Sequence, residues 1–518
     1  MILVVGAGPV GLTAAHELRR RDVPVRIVDA RPDARTTSRA IATHPRTLEV
    51  YDQMGVIDEM LARGNRIGAF TLFHNGRRLI RLDADYASMP TRFPFTLCID
   101  QVVTEDVLRN ALAAQGVKVE WGTKLTDLHQ DADRVRATLV HGDGTEETAE
   151  VDWLVGADGG HSTVRRLLDL PLIGATNQTW LLADGQVDVD LPRNSIYWIR
   201  AEGATLMAVP FIEPGRWRLL DTVDVSQDDD PAAIAARFSR KLTAGLGRPV
   251  VVAPPDWVSV FTAQQRLVPR MRVGRVLVAG DAAHVHSPAS GQGMNTGIQE
   301  AVNLAWKLAM VYAGQAGDAL LDTYSAERVP LGEALLSSTE RATRLVALRT
   351  AAMERLLPVA LGVVRRVPAL RRRIQRKILG NVSGLRVAYP DSPLTAAGGG
   401  GRLATVDGLG AASEPWPTLL AELRRPGWLL IAAASAGSAG SARSAPAVTA
   451  VDLPRFAGRP WLRVVPVSPG AGGLGLGPGE WLLVRPDGYL AARGGPGESA
   501  GELLDRLVPV HGKNREDK

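Results

Sequence analysis

The chain has 518 residues, 45% hydrophobic and 22% charged, with 53 glycines and 33 prolines; it is too long for one core and too apolar to be disordered, so two or three domains are expected. Sixty basic against 55 acidic residues leave a net charge of +5, a small excess at this length that argues against a nucleic-acid partner. Cys98 is the sole cysteine, which excludes an intramolecular disulfide and a cysteine-based zinc site and fits a reducing compartment.

Ile2–Val5 is a short apolar run, as expected of a parallel strand covered on both faces. It ends in Gly6-Ala7-Gly8-Pro9-Val10-Gly11, a helical stretch follows to Arg20, and a second strand, Val25–Val28, ends in Asp29. In a dinucleotide fold Gly6 permits the tight turn, Gly8 lets a pyrophosphate approach the backbone, and Gly11 lets helix and sheet pack closely. The helix N-terminus offers N–H groups to phosphates. Asp29, 18 residues beyond Gly11 and followed by Ala30 and Arg31, is spaced to accept from adenosine ribose hydroxyls. The start carries no basic, cleavable apolar leader, and no segment has the roughly 18 uninterrupted apolar residues of a membrane span. A cytoplasmic protein without integral membrane contact is expected.

Further along, Phe70–Leu82 reads as a hairpin around Asn75-Gly76. Trp153–Val155 is an apolar strand ending in Gly156-Ala157-Asp158-Gly159, followed by Ser162, Val164 and Arg165. From about Trp180 to Phe261, the alternation in "SIYWIRAEGATLMAVPF" and the turn at Pro214-Gly215 predict a second sheet. Trp198, Met207, Phe211 and Trp217 are its candidate pocket residues. A third apolar strand stops at Gly280-Asp281. A loop of small residues with His284, His286 and Pro288 then leads through Gly291 and Gly293 to a helix from about Met294, with Ile298, Val302, Ala305 and Ala309 on one face. The histidine pair offers too few ligands for a metal site, and no nucleophile elbow marks a hydrolase.

The glycine fingerprint, the Asp158-Gly159 corner and the Gly280-Asp281 corner resemble, in order and separation, the motifs of the single-component (group A) flavoprotein aromatic hydroxylases over about residues 1–345. The resemblance implies a para-hydroxybenzoate hydroxylase-like α/β fold. A Rossmann-like FAD-binding domain (1–70, 98–175 and 265–345) would be interleaved with a β-sheet substrate domain (71–97 and 176–264). It implies FAD, with NADPH or NADH as transient co-substrate, and O2. Asp281 would bind a ribityl hydroxyl, and the bare loop Pro288–Asn295, with Gly291, Gly293 and Met294, would bring backbone N–H groups to the flavin ring. The helix N-terminus would face the ring edge where negative charge collects on reduction.

By the same resemblance, Arg39 lies on the FAD side and Arg46 near the flavin ring or NADPH. Gln101 contacts FAD, Leu125 uses its backbone beside adenine, Asp158 supports both cofactors, and Arg165 steadies that loop. No second glycine fingerprint follows a strand, so NAD(P)H would bind without a Rossmann domain of its own. The implied reaction adds O2 at flavin C4a as a hydroperoxide. Its terminal oxygen then passes to a carbon ortho or para to a phenol oxygen, in a closed apolar cavity. No general base stands out.

Residues 329–380 read as helices interrupted at Pro358 and Pro368, with a helical connector at 346–389. The basic "VRRVPALRRRIQRK" within it reads as a solvated face, with an acidic partner or a membrane surface as the alternative. The run Gly398–Gly401 reads as a linker. Over 390–518, the strand "GWLLIAAA", the low-complexity "SAGSAGSARSAP" and a hairpin turning at Asp487-Gly488 resemble the thioredoxin-like C-terminal domain of polyketide-tailoring and phenol hydroxylases. That domain holds no cysteine, so a structural or subunit-interface role, such as a homodimer's, is expected. The extension points to a bulky phenolic or polycyclic, polyketide-type aromatic substrate. Baeyer–Villiger insertion or inactivation of rifamycin-type antibiotics would use the same scaffold. A flavin-binding protein without catalysis is the reading of another class.

Overall fold

A computed structural model describes the chain except for residues 86–88, 202, 227–229, 286–290, 348–360, 363, 365, 404–413, 435–458 and 510–518. Ile2–Val5 lies inside a six-stranded sheet, paired in parallel with Val25–Asp29 on one side and Trp153–Gly156 on the other. Val119–Trp121 and Val276–Val278 extend it in parallel, and Arg272–Val273 closes one edge antiparallel. Burial on both faces explains why these strands are runs of Val, Ile and Leu. Against them pack α1 (Pro9–Arg19), α2 (Pro45–Met54), α3 (Gln101–Ala114) and the short α4 (Thr163–Leu167). Pro9 starts α1, where a missing N–H costs nothing, and Asp100 caps α3 by accepting from the Val102 N–H. Strand order has a functional consequence. Val276–Val278, Trp153–Gly156 and Ile2–Val5 are adjacent and parallel, so the corners that follow them emerge side by side at one edge.

The second sheet has nine strands. Its hairpin Ala69–His74/Arg77–Asp83 turns at Asn75 and Gly76, whose φ values of 43° and 79° suit the left-handed turn. One face packs on α5 (Pro231–Leu246): Tyr197, Leu206, Ala208, Trp217 and Leu219 meet Ile234, Phe238 and Leu242. The opposite face carries Trp180, Leu182, Leu220, Met207 and Phe261. It also carries Ile196, Val209 and Phe211, which meet Ile41 and Cys98 from beside the first sheet. Trp217 is therefore corrected from pocket residue to core: it is 2% exposed and alternation turns it toward α5, away from the face that meets Ile41 and Cys98.

The chain returns through α6 (Gly293–Tyr312), α7 (Asp322–Ala347) and α8 (Pro368–Val382). The helical path breaks at Val367 and α8 starts at Pro368, as the sequence predicts; Pro358 lies outside the described residues. The C-terminal sheet runs in the order Leu462–Val467, Trp428–Ala433, Trp481–Val484, Leu490–Gly494. Its first pair is parallel and the others antiparallel, a thioredoxin-like order flanked by α9 (Trp416–Leu423) and α10 (Ala500–Leu507). The glycine run is not a free linker. Gly400 N–H donates to Leu490 O and Leu490 N–H to Gly401 O, and a Cβ at Gly399 would come 2.3 Å from Ala491 O. The low-complexity stretch falls outside the described residues.

This sheet docks on α6 and α7 in the same chain. Trp306 meets Trp428 edge-on at 5.7 Å. Arg485 donates to both Glu327 oxygens, at 2.6 and 2.9 Å, and to Asp487. Lys307 and Asn303 of α6 donate to the same Glu327. Among the described residues no helix is long and apolar enough to cross a membrane.

Candidate flavin site

The corners after the three adjacent strands interlock. Gly6, at φ 105°, presses against the Asp158 corner: a Cβ there would lie 2.4 Å from Ala157 O. Gly11 presses on Gly6, with a Cβ 1.8 Å from its carbonyl oxygen, whereas a Cβ at Gly8 would meet nothing within 4 Å. Two glycines are thus demanded by packing, and the third leaves the backbone open at the N-terminus of α1. Gly280, at φ 60°, and Gly297 of α6 both close on Val10, at 2.8 and 2.5 Å for an added Cβ. Arg165 ties the other two corners, donating to Gly160 O at 2.8 Å and Ala282 O at 3.1 Å.

Acids hold these turns in shape. Asp29 accepts from the Ala7 N–H at 2.7 Å and from the backbone and guanidinium of Arg31. Burial opposes its charge, yet these donors bring its pKa below the ordinary value. Arg31 in turn lies over Trp121 at 5.4 Å. Asp158 accepts from Ser162 Oγ at 2.5 Å and from the N–H groups of Thr163 and Val164, closing the start of α4; burial raises its pKa against those donors. Asp281 is reached by solvent, yet desolvation by the surrounding protein raises its pKa while His284 opposes the shift.

Glu300, a residue sequence reasoning passed over, fastens this last corner from α6. It accepts from the Gly280 N–H at 2.9 Å and meets His284 Nε2 at 2.8 Å, and both side chains are buried. Burial works against the charge of each, yet their mutual attraction raises the pKa of His284 and lowers that of Glu300. His284 is therefore an ion-pair partner. Among the described residues no group of His, Cys, Asp and Glu could hold a metal; His286, like Pro288, lies outside them.

Gly291 (φ 62°) and Gln292 lead into α6, which begins at Gly293 and Met294. Asn295 ties this start to the segment before α2: its amide donates to Ala42 O and Gly291 O and accepts from the His44 N–H, each at 2.8 Å. Arg46 departs from expectation. Its guanidinium donates to Glu49 at 2.9 Å and to Asp487 O at 2.6 Å, and lies over Tyr489 at 4.9 Å, so the C-terminal hairpin, not a flavin-side opening, receives it. Arg39 is exposed and reaches Ser259 at 3.2 Å. Its backbone is anchored by buried Arg218, which donates to Ser38 O and Arg39 O and pairs with Asp184. Gln101 starts α3 and donates to Glu105 at 2.8 Å. Leu125 follows the strand that ends at Trp121 and lies in the next, Lys124–Gln130, at the edge of a three-stranded sheet, its side chain 2% exposed.

Across from this cluster stands the apolar sheet face. Met207 pairs with Trp198 in register and both are partly buried, while Phe211 is 4% exposed among apolar neighbours. The arrangement fits a flavin dinucleotide: a helix N-terminus beside an open Gly8, carboxylates at two strand ends, and an apolar wall. Comparison with known proteins decides the family. The profile of the FAD binding domain family matches residues 1–339. The chain belongs to that family. This flavoprotein monooxygenase is 48% identical to 6-methylpretetramide 4-monooxygenase of Streptomyces rimosus, over 98% of this chain and 93% of the relative. The structure of anhydrotetracycline hydroxylase OxyS from Streptomyces rimosus superposes with a TM-score of 0.74 at 28% identity, over 98% of both chains. CabE, an aromatic hydroxylase from angucycline biosynthesis, gives the same values.

Proposed function

We propose that this enzyme hydroxylates a polycyclic aromatic polyketide of the pretetramide type at an electron-rich ring carbon, using NAD(P)H and O2. The observation that carries the reading is full-length similarity to a 6-methylpretetramide monooxygenase, joined to the contact of the three corners. Rifampicin monooxygenase from Streptomyces venezuelae is 34% identical over only 67% of the chain, which supports antibiotic inactivation less well. Bound FAD would supply the redox chemistry, passing electrons from NAD(P)H to O2, which provides the inserted oxygen atom.

The chain's own residues do the rest. Gly8 and the start of α1 would take the pyrophosphate. Asp29 would take the ribose hydroxyls, which compete there with the Arg31 guanidinium, and Asp281 a ribityl hydroxyl. Gly291 to Asn295 would hold the ring with the N-terminus of α6 toward it. Trp180, Met207 and Leu220 would exclude water from the substrate side. The cysteine is a bystander: burial pushes the Cys98 thiol up to about 12. The test is to purify the yellow protein and screen phenolic polycycles for stimulated NAD(P)H oxidation and a gain of one oxygen atom by mass spectrometry. A ring-expanded product would indicate Baeyer–Villiger insertion, and tightly bound FAD without any NAD(P)H oxidation would indicate a non-catalytic flavin binder.

A further inference from the structure

The most basic stretch of the chain takes no part in holding the flavin. Arg372, Arg373, Arg376 and Lys377 of α8 face solvent and, with Ala369 and Arg386, line one recess. None of these five cations has an acidic partner among the described residues, whereas Arg371 of the same helix reaches Asp83. Arg386 lies along the helix end, its guanidinium carbon 2.7 Å from where a Cβ on Gly380 would be, so the fifth charge stays on the same side. Like charges one turn apart repel, and no acid among the described residues pairs with them. A concave cluster of guanidinium forks matches phosphate oxygens and suits a small polyanion better than a flat membrane.

The position of the recess narrows the choice of anion. The C-terminal end of α8, next to Arg386, meets the loop that leads into α6: Asn381 O accepts from Gln292 Nε2 at 2.6 Å, and Ser383 O from the Arg46 N–H at 3.0 Å. At a rise of about 1.5 Å per residue, Arg376 and Arg372 lie about 7.5 and about 13.5 Å along the helix from Asn381. The one dinucleotide fold serves FAD, so the hydride donor must rest its phosphates elsewhere. Building on the monooxygenase reading above, we propose that this recess binds the 2′-phosphoadenosine end of NADPH and makes the enzyme prefer NADPH to NADH.

The test uses the flavin-loaded full chain and 2′,5′-ADP, a probe that carries the phosphate but no hydride. The wild type is expected to bind it about 10-fold more tightly than 5′-ADP, the scale of one charge-assisted contact. Arg372→Glu combined with Arg376→Glu, both exposed, should erase that margin. In the same variant KM for NADPH should rise about 10-fold and KM for NADH less than about 3-fold, with kcat and flavin content unchanged. Equal binding of the two adenosine phosphates by the wild type, or a margin that survives charge reversal, overturns the proposal. So does charge reversal that alters binding only to anionic vesicles or to an acidic protein. A flavin-loaded protein that oxidises neither nicotinamide cofactor with any phenol overturns the monooxygenase reading instead, while the 2′,5′-ADP titration still reports on the recess.

Discussion

Gly8 and Gly11 lie three residues apart and make opposite demands on a side chain. At Gly11 a Cβ would be driven into Gly6 O, while at Gly8 it meets open space on a backbone whose φ of −76° suits alanine. Gly11→Ala should therefore destabilise the FAD-free protein by about 1–3 kcal/mol through overpacking. Gly8→Ala should leave its melting temperature unchanged and weaken only FAD binding. Melting curves of the FAD-free variants, set beside FAD titrations, separate the two; equal losses of stability would contradict the distinction. Asp281→Ala tests the other end of the cofactor. Losing one hydrogen bond to a charged group is worth about 1.5–3 kcal/mol, or about 10–150-fold in FAD affinity. Release of fluorescent FAD on dilution measures it, and unchanged retention would remove that carboxylate from the site.

At the scale of the element, α6 both follows the Gly280-Asp281 corner and clamps it through Glu300, which gives FAD binding a pH dependence. The raised pKa of His284 makes its contribution complete below the ordinary 6.5 and lost as pH climbs through the raised value. The lowered pKa of Glu300 makes its contribution complete above the ordinary 4.5 and lost as pH falls through the lowered value. The corner is firmest between those two pH values, and FAD retention should decline on the alkaline side. Glu300→Gln keeps an acceptor for the Gly280 N–H but removes the charge, so it should flatten the alkaline limb; a profile unchanged by the substitution would falsify the link. The same helix shows what a sequence can disclose. Ile298, Val302, Ala305 and Ala309 recur at the helical period and are buried as that period demands. Glu300, Asn303 and Lys307 recur on the other side, where periodicity alone assigns solvent, yet they are buried because distant segments cover them. Alternation likewise groups Trp217 with its neighbours without saying which face of the sheet meets the cofactor. The glycines at 398–401 signal backbone freedom, but not whether it serves flexibility or close approach.

Across the whole molecule, the C-terminal domain is bound to the flavin-binding part by charges that have no access to water. Glu327, Arg485, Lys307 and Asp487 are each 3% exposed or less, and two cations face two acids. Removing one member of such a set leaves the others uncompensated, at a cost of about 3–5 kcal/mol. The members are not equivalent. Arg485 grips Glu327 with two hydrogen bonds, so Lys307 is the second cation at a carboxylate already neutralised. Burial, with Arg485 adding repulsion, lowers its pKa to about 8 against the Glu327 attraction. Between that value and the ordinary 10.5 the unfolded chain binds a proton that the folded chain has released, so this group makes stability rise with pH across that window. Glu327→Ala should therefore lower the melting temperature sharply and open the C-terminal domain to proteolysis. It should also disturb Arg46, whose partners Asp487 and Tyr489 belong to the released hairpin. Lys307→Met should fold well and lose the alkaline rise in stability. Melting temperatures of both variants from pH 7 to 10, with limited proteolysis of each, decide the matter: if Lys307→Met proves as damaging as Glu327→Ala, the two cations share the carboxylate equally and Arg485 is not the principal bond between the domains.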